Sequence, residues 1–333
     1  MSKRTSVEWN EALNKDREFT EYIVNVLEWV ENVEVTVNEQ NFIIATTGEQ
    51  PAEIAFYANY PTRKKDKQQA VESHALFESI QLAASEDLNA QFIFRPTNNF
   101  DETGIQSTFP KNIKAIYVIK IDKDKADVPV YVSKGAQIAS FTSFDINVQG
   151  RGGHAAYPDK TVDATIIGAA IVEALQQVVS RNANPTAKGS LTVTNFQTGE
   201  GTYNIIADSA QIKGNIMVLD DDNNDLYKKR IEEIATQVGK AHNAQVSVEF
   251  NNITPAVHND DDLVDHTKEI INQAFGIYVH PETASLVADP IGFAFEETPG
   301  VTLFFNQKDP VNTVAKTVQA IVAFPAKKLF EED

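Results

Sequence analysis

The feature that most constrains this chain is a central run in which hydrophobic periodicity switches between two and 3.6 in a fixed order. Phe144, Ile146 and Val148 alternate with Asp145, Asn147 and Gln149, the signature of a strand with one exposed face. Ile167, Ile171, Ala174, Leu175 and Val178 then form a helical stripe, entered through Asp163 as an N-cap. Strands follow at residues 191–194 and 211–219. The next helix carries Leu226, Ile231, Ile234, Ala235 and Val238, and Val246, Val248 and Phe250 alternate with Ser247 and Glu249 to close the segment. Strand, helix, strand, strand, helix, strand reads as one ferredoxin-like unit.

The flanks mix helices and strands. Phe19, Ile23, Val24, Leu27 and Val30 stand at helical spacing, and residues 33–37, 42–46 and 54–57 predict three strands. A helix over 72–84 places Leu76, Ile80 and Ala83 on one face. Residues 91–96 and 115–121 are mostly apolar runs of the kind a sheet covered on both faces buries. Beyond the central unit come a helix over 262–275, a strand over 302–305 and a last helix from about Val311. The simplest organisation is an α/β domain over 1–142 plus 256–333, split by a compact unit inserted over 143–255.

Charge and composition remove whole classes of function. A formal net charge of -18 repels phosphate backbones and anionic lipid, so neither nucleic acid nor a membrane surface is an expected partner. The absence of cysteine excludes disulfides, zinc–thiolate clusters and thiol nucleophiles. The charged N-terminal stretch has no apolar core of signal-peptide length, and no apolar run is long enough to span a bilayer. A cytoplasmic location is the expectation.

Two stretches of the inserted unit, FDINVQGRGGHAAYPDKTVDA (144–164) and GEGTYNIIADSAQIKGNI (199–216), closely resemble a known domain. It is the lid, or dimerisation, domain of the aminoacylase and carboxypeptidase metallopeptidases. The nearest branch contains N-acyl-amino-acid amidohydrolases, hippurate hydrolase and N-acetyldiaminopimelate deacetylases. The resemblance implies a mixed-sheet catalytic-type α/β domain split by a ferredoxin-like (βαββαβ) lid. It also implies two divalent metals, such as zinc or manganese, a water between them, and a glutamate as general base. Such chemistry needs anionic or neutral-imidazole ligands and a carboxylate within reach of the water.

The chain departs from that pattern where the ligands belong. QAVESHALFESIQLAA puts Gln69 at a cysteine position, Val71 at a liganding histidine and Glu72 at an aspartate, while His74 matches a histidine that is not usually a ligand. FIFRPTNN puts Asn98 and Asn99 where paired glutamates stand, and AIYVIK puts Tyr117 at the strand histidine. ADPIGFAF replaces an acidic segment, and no histidine follows His280. Valine has no donor atom, carboxamides are weak uncharged ligands, and two close dications repel each other unless anionic groups lie around them. General-base catalysis worth about 10²–10⁴-fold would vanish with the metal's several kcal/mol. No metal, no cofactor and no catalytic residue are therefore expected.

The lid retains more. By the resemblance, Gly153, His154 and Asn204 are candidate substrate-binding residues, the histidine contacting a substrate carbonyl or carboxylate and the asparagine helping to hold a carboxylate. An arginine of the next strand is Met217 here. The plainer reading is that Gly152, Gly153 and His154 serve the turn and lid packing. Asp220, Asp222 and Asn224 mimic a calcium loop, but Asp225 and Ile231 stand where it needs glycine and glutamate, so a helix N-terminus explains them better. His258 and His266 flank an acidic run that reads as a solvated helix start. There is no dinucleotide fingerprint and no Gly-x-Ser-x-Gly elbow.

Three functions stay open. The first is a non-catalytic amidohydrolase homologue, homodimeric through the lid, retaining acyl-amino-acid or peptide binding. The second is a partner subunit that donates His154 to an active paralogue. The third is a working hydrolase with a site rebuilt from Asp66, Glu72, His74 or Asp101.

Overall fold

The computed structural model describes residues 19–63, 66–97, 102–122, 129–199, 201–276, 284–306 and 308–323. In chain order the first elements are α1 (Phe19–Leu27), β1 (Val33–Val37), β2 (Ile43–Thr47), β3 (Ile54–Tyr60) and α2 (Lys67–Ser85). They are followed by β4 (Ala90–Pro96), α3 (Glu102–Thr108), β5 (Ala115–Ile121), β6 (Val130–Tyr131) and β7 (Gly135–Ile138). Next come β8 (Ser140–Gln149), β9 (Gly153–His154), α4 (Ala164–Leu175), β10 (Gly189–Thr198), β11 (Ile205–Ile206) and β12 (Ser209–Val218). The chain continues through α5 (Asp221–Ala241), β13 (Gln245–Thr254), β14 (Val257–Asn259) and α6 (Asp261–Phe275). It ends in α7 (Gly292–Phe295), β15 (Gly300–Phe305) and α8 (Pro310–Ala323).

Two compact units result. The first gathers the described residues of Met1–Gln137, His258–Thr283 and Phe293–Asp333, and the second those of Ile138–Val257 with Ala284–Gly292. The sequence places 284–292 with the flanks; in the structure the Ala139 amide donates to the Ser285 carbonyl at 3.0 Å, which ties that segment to the inserted unit.

In the first unit, among the described residues, a seven-stranded sheet runs β1-β2-β4-β3-β5-β15-β6. Its centre, β4, β3, β5 and β15, is parallel. These strands are buried on both faces, as the apolar runs predict. One face sets Phe56, Ala58, Phe92, Phe94, Tyr117, Ile119, Leu303 and Phe305 against Leu76, Phe77 and Ile80 of α2 and Val314, Val318 and Ile321 of α8. The strand expected to stop at residue 57 runs on to Tyr60, which carries Asn59 to the sheet's C-terminal edge.

Helix α2 begins five residues before the predicted helix and is buried around most of its circumference. Its inward hydroxyls are satisfied locally: Ser73 Oγ donates to the Ala70 carbonyl at 3.1 Å and Ser79 Oγ to that of Ala75 at 2.8 Å.

The second unit has the predicted order. Its antiparallel sheet runs β10-β12-β8-β13, and Phe144, Ile146, Val148, Ile212 and Ile216 pack beneath Ile167 and Ile171 of α4 and Tyr227, Ile231 and Ala235 of α5. Asp163 caps α4, its carboxylate accepting from the Thr165 and Ile166 amides; Asp220 caps α5 through the Asn223 amide. The calcium-loop mimic is thus a helix cap. Gly214 lets the Phe144 ring lie on β12, because a Cβ there would fall 2.2 Å from Phe144 Cζ and 2.4 Å from the Thr192 carbonyl oxygen. Among the described residues, no helix is long and apolar enough to cross a membrane.

Candidate functional site

Within the second unit, Gly153, His154 and Asn204 come together on a short ribbon. β9 pairs antiparallel with β11, His154 opposite Ile205 and Gly153 opposite Ile206, and the Asn204 carbonyl accepts from the Ala155 amide at 2.9 Å. Close packing accounts for the glycines before the histidine. A Cβ on Gly150 would stand 2.2 Å from the Val162 carbonyl oxygen, one on Gly152 2.7 Å from that of Ile206, and one on Gly153 2.8 Å from Thr161 Cγ2.

Packing does not account for the imidazole, which is exposed. His154 Nδ1 accepts from the Ala156 amide at 3.1 Å, so the neutral ring carries its hydrogen on Nε2 and presents a donor. Tyr157 stands beside it, ring centroids 6.0 Å apart, with Lys160 Nζ 5.0 Å from the Tyr157 centroid. Met217 is not part of this group: it lies eight residues from Ser209 along β12, roughly 26 Å at about 3.3 Å per residue.

A groove of about 350 Å³ opens near the foot of the ribbon, lined by Asn147, Gln149, Gln197, Thr198, Ser209 and Gln211 among others. Gln211 Nε2 donates to Asn147 Oδ1 at 3.3 Å. Carboxamides and hydroxyls of this kind both donate and accept, which suits an amide ligand.

In the first unit, the described positions assigned to metal ligands lie on α2 (Gln69, Val71, Glu72) and on β5 (Tyr117). Tyr117 is a correction. It sits in the middle of β5, wholly buried, its ring 5.5 Å from that of Phe56 and its hydroxyl accepting from Thr267 Oγ1 at 3.3 Å. Burial pushes its phenol far above the ordinary value. It is a core residue, and the strand ends in Lys120 and Ile121.

Glu72 is buried and spoken for as well. Its Oε1 accepts from the Ile121 amide at 3.1 Å, while Gln68 Nε2 donates both to Glu72 Oε1 at 3.5 Å and to the Ile121 carbonyl. Two side chains of α2 thereby satisfy both backbone groups of the last residue of β5. Asp66 accepts from Thr97 Oγ1 at 3.0 Å and from Arg63 Nε at 3.3 Å. His74 Nε2 lies 3.4 Å from Glu78 Oε1, within α2. Val71 packs against the core. Asn98, Asn99, Asp101 and His280 lie outside the described residues.

Asp289, in the segment that replaces the acidic motif, is buried and accepts from the Ile291 amide at 3.0 Å. His266 Nδ1 is 2.9 Å from the Asp262 carbonyl oxygen, on a helix capped by Asp260.

These donors do not fit a dinuclear centre. Among the described residues, no group of three or more histidines, aspartates or glutamates stands together in a way that could hold a metal ion. What sequence reasoning missed is cationic. Arg95 on β4 pairs in register with Asn59 on β3, and its Nε donates to Asn59 Oδ1 at 2.8 Å. Lys120 ends the same face of β5. The signal was available in FIFRP and YVIKI, two charged residues interrupting otherwise apolar strands.

A split α/β domain carrying an inserted ferredoxin-like unit defines the class: the two-domain architecture of M20-type hydrolases. Residues 138–243 match the family described as the peptidase dimerisation domain. The chain is 33% identical over 151 residues to hippurate hydrolase of Campylobacter jejuni, covering 45% of this chain and 39% of that protein. It is 24% identical over 181 residues to N-acetyldiaminopimelate deacetylase of Anoxybacillus flavithermus, covering 54% and 48% respectively. The chain thus matches less than half the length of either curated relative. Its fold matches that of a dinuclear metal-binding peptidase of the M20 family from Bacillus subtilis, with a TM-score of 0.73, 16% identity and coverage of 92% of this chain and 90% of that one. Residues 138–243 thus carry the peptidase dimerisation domain, and the chain as a whole shares the fold of an M20-family peptidase.

Proposed function

We propose that this protein does not hydrolyse amides, that it binds a ligand of the acyl-amino-acid or peptide class through Gly153, His154 and Asn204, and that it pairs with a second copy through its lid unit. The observation that carries the first part is the donor set at the strand ends. A dication about 5 Å from one elementary positive charge is opposed by about 7 kcal/mol at an effective dielectric of about 20. Among the described residues no three acids or imidazoles stand together, and the charged residues near the ends of β4 and β5 are Arg95 and Lys120.

The ligand class is supported by the names of the relatives and by the ribbon. A donor on His154 Nε2 and a carboxamide-lined groove both suit an amide. Pairing is supported by the match to a dimerisation domain and by apolar exposure beside an edge strand: Ile166 on α4 is 60% exposed and Phe196 on β10 is 38% exposed. A second reading, donation of His154 to an active paralogue, is favoured by that ring's exposure and fixed tautomer.

The test loads the protein with zinc or manganese, removes free metal by gel filtration, and measures bound metal and turnover of hippurate and N-acetyldiaminopimelate. Calorimetry of the same compounds compares the protein with His154→Ala. The expected result is no stoichiometric metal, no turnover, and binding that weakens at least tenfold in the variant. Bound metal with turnover would overturn the reading. Co-purification with a metal-bearing relative, in preference to self-association, would decide for the paralogue.

A further inference from the structure

The groove in the second unit lies on the outer face of its sheet. In β8 and β12 the buried apolar residues face α4 and α5, so the residues that alternate with them form the other face. Register sets those residues side by side. Gln197 on β10 stands opposite Gln211 on β12, and Gln211 opposite Asn147 on β8; two residues along, Ser209 stands opposite Gln149. Residues directly opposite in antiparallel strands share a face. These five side chains are among those that line the groove of about 350 Å³.

The groove is neutral, and its hydrogen-bonding groups come in complementary pairs. None of the lining residues is charged or aromatic. Two residues along the strands from Gln211 and Asn147, Lys213 and Asp145 stand opposite each other and pair at 3.1 Å. An ionic ligand would therefore lose water without meeting a counter-charge in the groove. Gln211 Nε2 donates to Asn147 Oδ1 at 3.3 Å, which keeps the Asn147 amide group as a donor beside the Gln211 carbonyl as an acceptor. Gln149 Nε2 donates to the Asp208 carbonyl at 3.2 Å and keeps its own carbonyl as a further acceptor. A donor beside an acceptor is the complement of a peptide group, which carries one C=O and one N–H. A pyranose is the competing neutral ligand, but its apolar ring face has no aromatic side chain to lie on here.

We propose that this groove is a binding site for uncharged peptide backbone, held by the carboxamides of Asn147, Gln149 and Gln211. Three strands spaced about 4.8 Å apart span roughly 10 Å, the length of about three extended residues at about 3.3 Å each. The assignment goes beyond the lid reading, in which the groove only supports the ligand class, and it does not depend on His154.

The test follows the side-chain amide signals of Asn147, Gln149, Gln197 and Gln211 in heteronuclear NMR spectra of the full chain as N-acetyl-trialanine amide is added. The tripeptide should shift them saturably, and N-acetylalanine amide should bind at least tenfold more weakly. Asn147→Leu combined with Gln211→Met keeps the bulk of both side chains and removes their amides. It should weaken tripeptide binding at least tenfold, read from Gln149 and Gln197, with unchanged backbone signals in α4 and α5 showing that the unit is folded. Gln211→Glu alone, which keeps the shape, should weaken binding as well. His154→Ala should leave the tripeptide response unchanged. No saturable shift, equal affinity for the two peptides, undiminished binding in both sets of variants, or an equal response to maltotriose would each overturn the assignment. Failure of hippurate to bind while the tripeptide response stands would sink the lid reading and support this site.

Discussion

Replacing Tyr117 by phenylalanine tests whether this residue belongs to the core or to a site. The phenol is wholly buried, stacks on Phe56 and accepts one hydrogen bond from Thr267, at 3.3 Å. Thr267 Oγ1 has a second acceptor, the Leu263 carbonyl at 2.6 Å, so the substitution strands no donor. The loss at neutral pH should be about 0.5–1.5 kcal/mol, the net worth of one such bond.

The alkaline limb is more discriminating. Burial raises the phenol above its ordinary value of 10.0, so the folded chain holds a proton that the unfolded chain has released. The stabilisation is complete below that ordinary value and is lost as pH rises beyond it. By about pH 11 the loss reaches about 1.4 kcal/mol relative to neutral pH, and it steepens toward about 1.4 kcal/mol per further unit. Tyr227, also raised by burial, contributes equally to both proteins and cancels in the difference. Hydrogen exchange of the β3, β5 and β15 amides in urea follows the unit that contains Tyr117. Tyr117→Phe should be the less stable protein at neutral pH and the equal of the parent near about pH 11. Parallel stability curves across the alkaline range would refute the placement of a neutral phenol in the core.

Gly214→Ala should destabilise the second unit by about 1–3 kcal/mol, because the new methyl meets the Phe144 ring and the Thr192 carbonyl; hydrogen exchange of β8 and β12 amides reads this directly. Asp163→Ala removes the acceptor for two amides at the start of α4 and should cost about 1 kcal/mol by thermal denaturation, with Asp163→Ser restoring most of it. Glu72→Ala leaves the buried Ile121 amide without its carboxylate acceptor and should cost about 1–3 kcal/mol, whereas Glu72→Gln keeps an oxygen there and should recover most of that. Equal losses in the two Glu72 variants, measured by urea denaturation, would show that charge rather than the hydrogen bond matters.

The sequence by itself determined the inserted unit, because its strands are half-exposed and their alternation fixes which residues face inward: Phe144, Ile146 and Val148 are buried and Asp145 and Asn147 are not. It also determined the cap at Asp163 and put Asp220 at a helix N-terminus, since both depend on neighbours in the chain. The missing ligands at Gln69 and Val71 were legible as residue identities alone. The parallel strands gave no such phase. β5 is apolar on both faces up to Lys120, so the run AIYVI carries no alternation that assigns Tyr117 to a face. Only pairing with β3 and β15, which sets register and marks where the strand ends, assigned Tyr117 to the interior and brought Lys120 level with Asn59 and Arg95. The same holds for Glu72, an acid whose partner is a backbone amide 49 positions away and which becomes a clamp only when α2 packs on the sheet.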